Sequence, residues 1–406
     1  MKPKKLLTVA LGILTSIGGF LDVGAIATAA DAGASFRFQL LWVVALGTIC
    51  VIFIIEMVGR LAAVSKHTYA DALRARFGFQ FYVWPILAEF IVDFLVLGAE
   101  IGGVCIALQL VTGVSFRWWA LPVAFAVWLT AWLGTFKVIE NSVALLGLVT
   151  LAFVVGAFAL GTPWMEAARG FAPSVPGRDV AHYLFIAVSI LGAIISPYVL
   201  YFYSSGSVED GWTEEDLMVN RLVAGVGMGF GSLVQMGVLA TAALVLAPRG
   251  IQVEKYGQVA LTLVQPFGSW GFYLFAASLG IACFGACMEQ GLETGYVASQ
   301  AFGWNWGESK KPAKAARFAV SYTISIFASS LLMLAGLDPL KLTIFSMALT
   351  AVMLPLIIVP LLVVMNDHRY LGEHTNGWVS NVAVALIIGL TFVMAVVAIP
   401  LEYLGG

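Results

Sequence analysis

The feature that most constrains this chain is a series of long apolar runs separated by short polar segments. The runs are about 18 to 25 residues long, the length at which an α-helix crosses the hydrocarbon core of a bilayer. Charged residues make up 11% of the 406 residues, against roughly a quarter in soluble proteins. We therefore predict an all-α integral membrane protein whose partner is the lipid bilayer. This excludes a soluble enzyme, a nucleic-acid-binding protein, a disulfide scaffold and a disordered chain.

About eleven runs are recognised, and each predicts one transmembrane helix. They lack the alternation of apolar and polar residues that an outer-membrane β-barrel requires. The first run follows a basic start, but ten further spans follow it, which favours a retained helix over a cleaved signal peptide. The predicted spans are 6–30, 39–64, 82–112, 118–136, 141–161, 181–205, 221–247, 270–302, 316–336, 341–365 and 378–401.

The distribution of Lys and Arg predicts the topology, because these residues concentrate in short cytoplasmic loops. With the N-terminus in the cytoplasm, 14 of the 21 basic residues fall on the inside. Eleven spans then place the C-terminus outside, in a multi-pass protein of the cell (inner) membrane. The acidic segment 209–216 lies on the inside in this topology, but acidic residues weigh little in the rule.

The charges within the predicted spans all have one sign, and no Lys or Arg lies at mid-span. Such acids indicate a proton, a metal ion or a cationic substrate. At about 100° per residue, Glu89, Asp93 and Glu100 share one face of the third helix, which predicts a proton or ion path. The alternative is that Glu89 lies near the membrane surface and Asp93 pairs locally. Glu289 and Glu293 share a face of the eighth span, either as a second polar path or as its end. The acids within the spans are Asp22, Glu56, Glu89, Asp93, Glu100, Glu289 and Glu293.

The four cysteines, Cys50, Cys105, Cys283 and Cys287, all lie within predicted spans. This position argues against a disulfide framework. Cys283 and Cys287 share a helix face, which is compatible with a soft-metal site. We favour the other interpretation, in which they are small packing residues of a membrane helix.

The first and sixth spans each contain a break in the helical pattern. Gly19 and Gly24 flank Asp22 in the first span. Pro197 interrupts the sixth span and has no N–H, so carbonyls around Ala193 lose their donors. Breaks in matching helices of two halves are typical of a midplane site in a transporter built of inverted repeats. Asp22 and the unwound carbonyls would together form an all-oxygen cation site.

The residues at these breaks carry a family resemblance. The first break reads Asp-Val-Gly-Ala at 22–25, and a Leu-Leu-Trp follows at 40–42; the second reads Ala-Ile-Ile-Ser-Pro-Tyr-Val-Leu-Tyr at 193–201. Both resemble the NRAMP family of divalent-metal transporters, which carries Asp-Pro-Gly-Asn in helix one and Ala-x-x-Met-Pro-His-Asn-Leu-Tyr in helix six. Further matching segments are 99–100, 106–108, 354–355, 358–362, 366–369 and 372–376.

The resemblance implies a LeuT-type fold of 5+5 inverted repeats with broken helices 1 and 6. The first five-helix repeat would be 1–165, the second 175–365, and a loop with an extra eleventh helix 366–406. It also implies a transporter and not an enzyme, in keeping with the lack of a Ser/His/Asp set, a phosphate loop or a metal triad in the sequence. No cofactor is expected, the divalent cation being the substrate. No nucleic-acid partner is expected either, and the sequence is compatible with a monomer.

The departures from the family pattern affect which metal ion the site is expected to bind. The family's metal-binding Asn and Met correspond to Ala25 and Ser196, its helix-six His to Tyr198, the first acid of its helix-three pair to Leu97, and a tenth-helix Gln to Met347. A thioether favours softer transition metals, and replacing it with a hydroxyl removes that preference. The resemblance therefore narrows to the NRAMP-related magnesium transporters.

These observations predict a secondary transporter that imports Mg²⁺, with Mn²⁺ as a second candidate. Asp22 would be the only charged ligand. The carbonyls of 19–21 and Ala193 and the hydroxyl of Ser196 would complete the shell, partly through water. Because Tyr198 and Leu97 replace titratable groups, we expect weak or no proton coupling. The alternatives are a proton-coupled Mn²⁺/Fe²⁺ transporter, a transporter of organic cations, and a membrane receptor or scaffold that moves no ion.

Overall fold

In the computed structural model, the described residues are 22–133, 145–177 and 179–403. Every regular element within these ranges is helical. The α-helices, in chain order, are α1 Val23–Phe36, α2 Leu41–Ser65, α3 Tyr69–Phe77, α4 Phe79–Thr112, α5 Phe116–Trp132, α6 Leu151–Ala159, α7 Trp164–Arg169, α8 Val180–Ile194, α9 Pro197–Glu209, α10 Leu217–Leu222, α11 Met228–Val245, α12 Tyr256–Phe267, α13 Ser269–Phe302, α14 Ala316–Leu334, α15 Pro339–Met365, α16 His368–Leu371 and α17 Trp378–Tyr403.

The long helices coincide with the apolar runs of the sequence. Among the described residues, seven helical segments are long and apolar enough to cross a membrane, and two shorter apolar helices, Leu145–Ala159 and Trp378–Val393, lie at the fifth and eleventh predicted spans. α5 lies at the fourth span. The first span is described only from Asp22, and α1 continues past its predicted end at residue 30 to Phe36. The prediction of an all-helical multi-pass membrane protein is confirmed.

The sixth span is broken at the predicted position. α8 ends at Ile194 and α9 begins at Pro197, so Ile195 and Ser196 are left without helical conformation. Pro197 is the first residue of α9, a position where its missing N–H costs no hydrogen bond and its fixed φ suits a helix start. In the first span, Asp22 is extended and α1 begins directly after it. Gly19 and the carbonyls of 19–21 lie outside the described residues.

Each of four contacts between helices has a counterpart formed by the helices five spans away in the chain. α1 of the first span packs against α11 of the seventh, and α9 of the sixth packs against α2 of the second. Likewise, α4 of the third span packs against α14 of the ninth, and α13 of the eighth packs against α5 of the fourth. Each contact recurs when a helix is replaced by the one five spans away, as inverted repeats require. The repeat limits 1–165 and 175–365 and the extra segment 366–406 stay predictions.

One intramembrane acid is neutralised, contrary to the sequence analysis. Arg60 lies near the end of the predicted span 39–64, and it is 7% exposed within α2. Its Nε lies 3.1 Å from Oε1 of Glu56 one turn earlier. The same guanidinium donates to Oδ1 of Asn376 at 2.8 Å and to the carbonyl oxygen of His374. Glu56 therefore belongs to a structural ion pair that fastens the segment after α15 to α2.

The α1–α11 interface is close because Gly33 has no side chain. A Cβ at this position would lie 2.2 Å from the carbonyl oxygen of Leu239 and 2.8 Å from the Cβ of Ala242. Small residues allow this approach in membrane helices, where van der Waals packing stabilises the association. The interface positions the half-helix that begins at Asp22.

We expect Gly33→Ala to lower the free energy of unfolding by about 1–3 kcal/mol, the usual cost of inserting a methyl group into a packed interface. Thermal unfolding of the purified protein in detergent measures the effect. Gly206→Ala, on α9, is the matched control because nothing lies within 4 Å of the added Cβ. Equal midpoints for the two variants would contradict the close packing.

Candidate metal site

The first helix break is capped by the carboxylate of Asp22. Its Oδ1 accepts a hydrogen bond of 2.6 Å from the backbone N–H of Ala25. Asp22 is 3% exposed. A carboxylate at a helix N-terminus satisfies a free N–H and interacts favourably with the positive end of the helix dipole. The backbone of α1 therefore holds Asp22 at the break, and Ala25 contributes only its N–H.

A second carboxylate, that of Glu100 on α4, meets the same helix end. Its Oε1 and Oε2 lie 3.0 and 3.3 Å from the backbone nitrogen of Val23, and the side chain is fully buried. Val23 is the first residue of α1, so its N–H has no partner within the helix. The Cys283 thiol of α13 also hydrogen-bonds the Glu100 carboxyl. The sequence predicts a path along the third helix for Glu100, and the structure places this residue at the first break.

The second break contributes neutral oxygens. The Ser196 side chain is 2% exposed, and its Oγ has no hydrogen-bond partner among the residues that the structure describes. In a continuous helix, residue 197 would donate to the carbonyl of Ala193, but Pro197 has no N–H. Both oxygens are therefore available to a ligand at this break.

Tyr198 connects the two breaks. It lies in the first turn of α9, is buried, and interacts electrostatically with the carboxyls of Asp22, Glu289 and Glu100. α1 also packs against α8. The broken ends of the first and sixth spans therefore face one another, as the sequence analysis expected for a midplane site.

A sulfur atom that the sequence analysis did not assign to the site lies against the first turn of α1. A Cβ on Gly24 would be 2.4 Å from Sδ of Met347. Met347 is fully buried on α15 and packs against Ala193, while its carbonyl oxygen closely approaches Gly192. Met347 thus contacts both broken helices, through its sulfur at Gly24 and through its carbonyl oxygen at Gly192. The only signal in the sequence is that Met347 occupies the position of a family Gln, which does not reveal this contact.

Glu89 and Asp93 lie apart from Glu100. They form a second group with Glu293 of α13, and one carboxylate oxygen of each lies within 4.8 Å of the others. Nε2 of Gln290 donates to Oδ1 of Asp93 at 3.2 Å. The one-faced row of acids predicted on the third helix is therefore divided between two clusters.

The arrangement favours a cation at the breaks. Asp22 and Glu100 place two carboxylates at one helix end, and neither forms an ion pair with a Lys, Arg or His of the described residues. Helix-terminal donors stabilise these charges only in part. Together with the oxygens of Ser196 and Ala193, the carboxylates form a hard-donor set suited to a divalent cation.

Comparison with known proteins gives a family match and a fold match. The Nramp family model, described as natural resistance-associated macrophage protein-like, matches residues 12–400. The chain is similar to the manganese transporter of Eremococcus coleocola in complex with an aromatic bis-isothiourea substituted compound, at 18% identity and a TM-score of 0.76 over 97% of this chain and 84% of that one.

Two other solved structures share the architecture. Mhp1, a nucleobase-cation-symport-1 family transporter, in a closed conformation, matches at 14% identity and a TM-score of 0.64 over 97% of this chain and 90% of that one. MhsT in complex with L-phenylalanine matches at 16% identity and a TM-score of 0.63 over 97% of each chain. These similarities confirm the LeuT-type fold.

We expect Glu100→Ala to unfold at lower temperature than Glu100→Gln. The glutamine retains an oxygen for the N–H of Val23, whereas alanine leaves this buried donor unpaired, at a cost of about 1–3 kcal/mol. Thermal unfolding of both variants in detergent measures the difference. The control is Glu166→Ala, since this half-exposed carboxylate pairs with Arg37 at the surface and should contribute little. Coincident transitions for the two Glu100 variants would contradict the capping role.

Proposed function

Because the chain belongs to the Nramp family, natural resistance-associated macrophage protein-like, we propose that it is a secondary transporter of divalent metal cations with Mg²⁺ as its principal substrate. The observation that carries the proposal is the meeting of Asp22 and Glu100 at the start of α1, opposite the break at Ser196. Two buried carboxylates at the paired breaks of a LeuT-type fold provide charge for a cation at the midplane.

The hard character of the oxygens supports Mg²⁺. Asp22 supplies a carboxylate, Ser196 a buried hydroxyl without a partner in the described part of the chain, and Ala193 a carbonyl that receives no hydrogen bond from Pro197. Ala25 has no side-chain ligand to add, which leaves room for water. Mg²⁺ dehydrates reluctantly and is commonly held by one or two carboxylates together with retained waters. In this proposal the ion binds partly hydrated.

Met347 supports a second candidate, a proton-coupled transporter of Mn²⁺ or Fe²⁺. Its sulfur lies against Gly24 at the first break, so a thioether is near the site although Ser196 stands where the family has methionine. Thioether ligands favour softer transition metals over Mg²⁺. The solved relative from Eremococcus coleocola is a manganese transporter, which favours the same alternative.

We further propose that transport is weakly coupled to protons or uncoupled. Tyr198 and Leu97 replace the titratable groups that the family pattern carries at these positions, and both side chains are buried. Alternating access would proceed by movement of the broken first and sixth spans relative to the remaining helices. The proposed location is the cell (inner) membrane, with the N-terminus in the cytoplasm and the C-terminus outside.

We expect Asp22→Asn to reduce Mg²⁺ uptake into proteoliposomes by at least about tenfold, because removing a charged ligand from a divalent site costs more than 1.4 kcal/mol of binding. A Mg²⁺-sensitive dye inside the liposomes measures uptake. Asp31→Asn is the matched control on the same helix, since Asp31 interacts with Ser35 and His182.

Three outcomes of this assay contradict parts of the proposal. Undiminished uptake by Asp22→Asn would overturn the site. Acidification of the lumen in step with uptake would overturn the weak coupling. A complete lack of Mg²⁺ and Mn²⁺ flux through the parent protein would favour the receptor or scaffold alternative.

We expect Ser196→Met to shift selectivity from Mg²⁺ towards Mn²⁺ by about tenfold, because it restores a soft ligand at the second break. Competition of Mg²⁺ with Mn²⁺ uptake measures the shift. Met347→Leu removes the sulfur but keeps a side chain of similar volume, and it should leave Mg²⁺ uptake unchanged. If Met347→Leu instead weakens Mn²⁺ uptake while millimolar Mg²⁺ fails to compete in the parent, the Mn²⁺ candidate is correct.

A further inference from the structure

The second group of acids, here called the inner carboxylate cluster, consists of Glu89, Asp93 and Glu293. Glu89 and Asp93 lie one turn apart on α4, and Glu293 faces them from α13. One carboxylate oxygen from each residue lies within 4.8 Å of the other two. Oxygens that coordinate one Ca²⁺ or Mg²⁺ at about 2.0–2.6 Å are separated by at most about twice that distance. The spacing therefore fits three ligands around a single divalent ion.

The cluster has no positive partner within the described part of the chain. The exposed fractions of Glu89, Asp93 and Glu293 are 0%, 1% and 0%. No described Lys, Arg or His forms an ion pair with them. Both oxygens of Glu89 have no hydrogen-bond partner among the described residues, whereas the carboxyls of Asp93 and Glu293 hydrogen-bond each other and Thr294 also hydrogen-bonds Asp93. Three buried carboxylates at this spacing repel one another when all are ionised, so a cation among them would stabilise the ionised cluster in place of a proton.

Neutral oxygens around the cluster provide an independent indication of a ligand. The Gln290 amide donates to Asp93 through Nε2, while its Oε1 is buried and has no hydrogen-bond partner among the described residues. The hydroxyl of Tyr82, two turns before Glu89 on α4, is also buried with no hydrogen-bond partner among the described residues, and it interacts electrostatically with Asp71, Glu293 and Glu89. An amide oxygen and a phenol oxygen near the three carboxylates are neutral donors of the kind that an all-oxygen shell requires.

We propose that the inner carboxylate cluster is a second binding site for a divalent metal cation. Its ligands are the carboxylates of Glu89, Asp93 and Glu293 and the amide oxygen of Gln290. The donor set is hard, which suits Mg²⁺ and Mn²⁺.

The cluster lies along α4 from the site at the helix breaks. Asp93 precedes Glu100 by two turns, a rise of about 10 Å. Tyr198 interacts electrostatically with both Asp22 and Asp93 and therefore connects the two sites. With a cytoplasmic N-terminus, α4 runs outward, which places the cluster on the cytoplasmic side of the breaks. If the inner carboxylate cluster receives the ion after the site at the breaks during import, that role rests on the proposed function. Binding of an ion by the cluster does not rest on it.

The test is a titration of the purified full-length protein in lipid nanodiscs with Mn²⁺ alone, monitored by electron paramagnetic resonance. We expect the parent to bind two ions. Glu293→Gln and Asp93→Asn should each bind one, with the second ion lost or weakened at least tenfold. Asp22→Asn should also bind one. Glu56→Gln, a change at a carboxylate already paired with Arg60, should bind two.

The outcomes separate this inference from the proposed function. Equal stoichiometry and affinity in the parent, Glu293→Gln and Asp93→Asn would overturn the inner site, as expected if the carboxyls hold only protons. One ion in the parent that is lost in Glu293→Gln and retained in Asp22→Asn, without uptake by liposomes, would support the inner site and overturn transport from the breaks. Elution as a single monodisperse peak confirms that each variant is folded, and the two cluster variants check one another.

Discussion

The structure depends on how the free backbone donors at the start of α1 are satisfied. In a membrane-embedded protein, an interrupted helix is tolerated only where other groups replace the lost hydrogen bonds or where it lines a polar cavity. Here Asp22 accepts from Ala25, and Glu100 of α4 accepts from Val23. Two acids therefore stabilise one helix end. The same interaction that permits the break concentrates negative charge where a cation is needed.

This arrangement explains why α4 is the central helix of both sites. Its packing against α13 and α15 brings Glu100 to α1, and two to three turns earlier it brings Asp93 and Glu89 to Glu293. Acids on one face of α4 therefore contact two different helices, α1 and α13. Glu56 is unlike them, since Arg60 neutralises it within α2, and it belongs to the structural framework.

The sequence predicted what depends on local chemistry. Pro197 determines the second break through its missing N–H and its fixed φ, and the apolar runs determine the helices. The contacts of Glu100 with Val23, of Met347 with Gly24 and of Glu293 with Asp93 join residues that lie far apart in the chain. Helix periodicity gives the face of each residue but not the helix that it faces. The pairing of Glu56 with Arg60 was missed for a related reason, because the i,i+4 spacing shows that the two side chains can meet but not that Arg60 is buried within α2.

The two sites differ in formal charge, and this difference bears on direction. Asp22 and Glu100 together carry two negative charges when ionised, and the inner cluster carries three. A divalent ion neutralises the first site and leaves one net negative charge at the second. The carboxylates therefore largely cancel the repulsion between two bound ions about 10 Å apart. The inner cluster would then attract an ion more strongly than the breaks do. In the proposed topology this gradient of charge favours inward movement, and release to the cytoplasm would be the step that needs the arrival of a second cation.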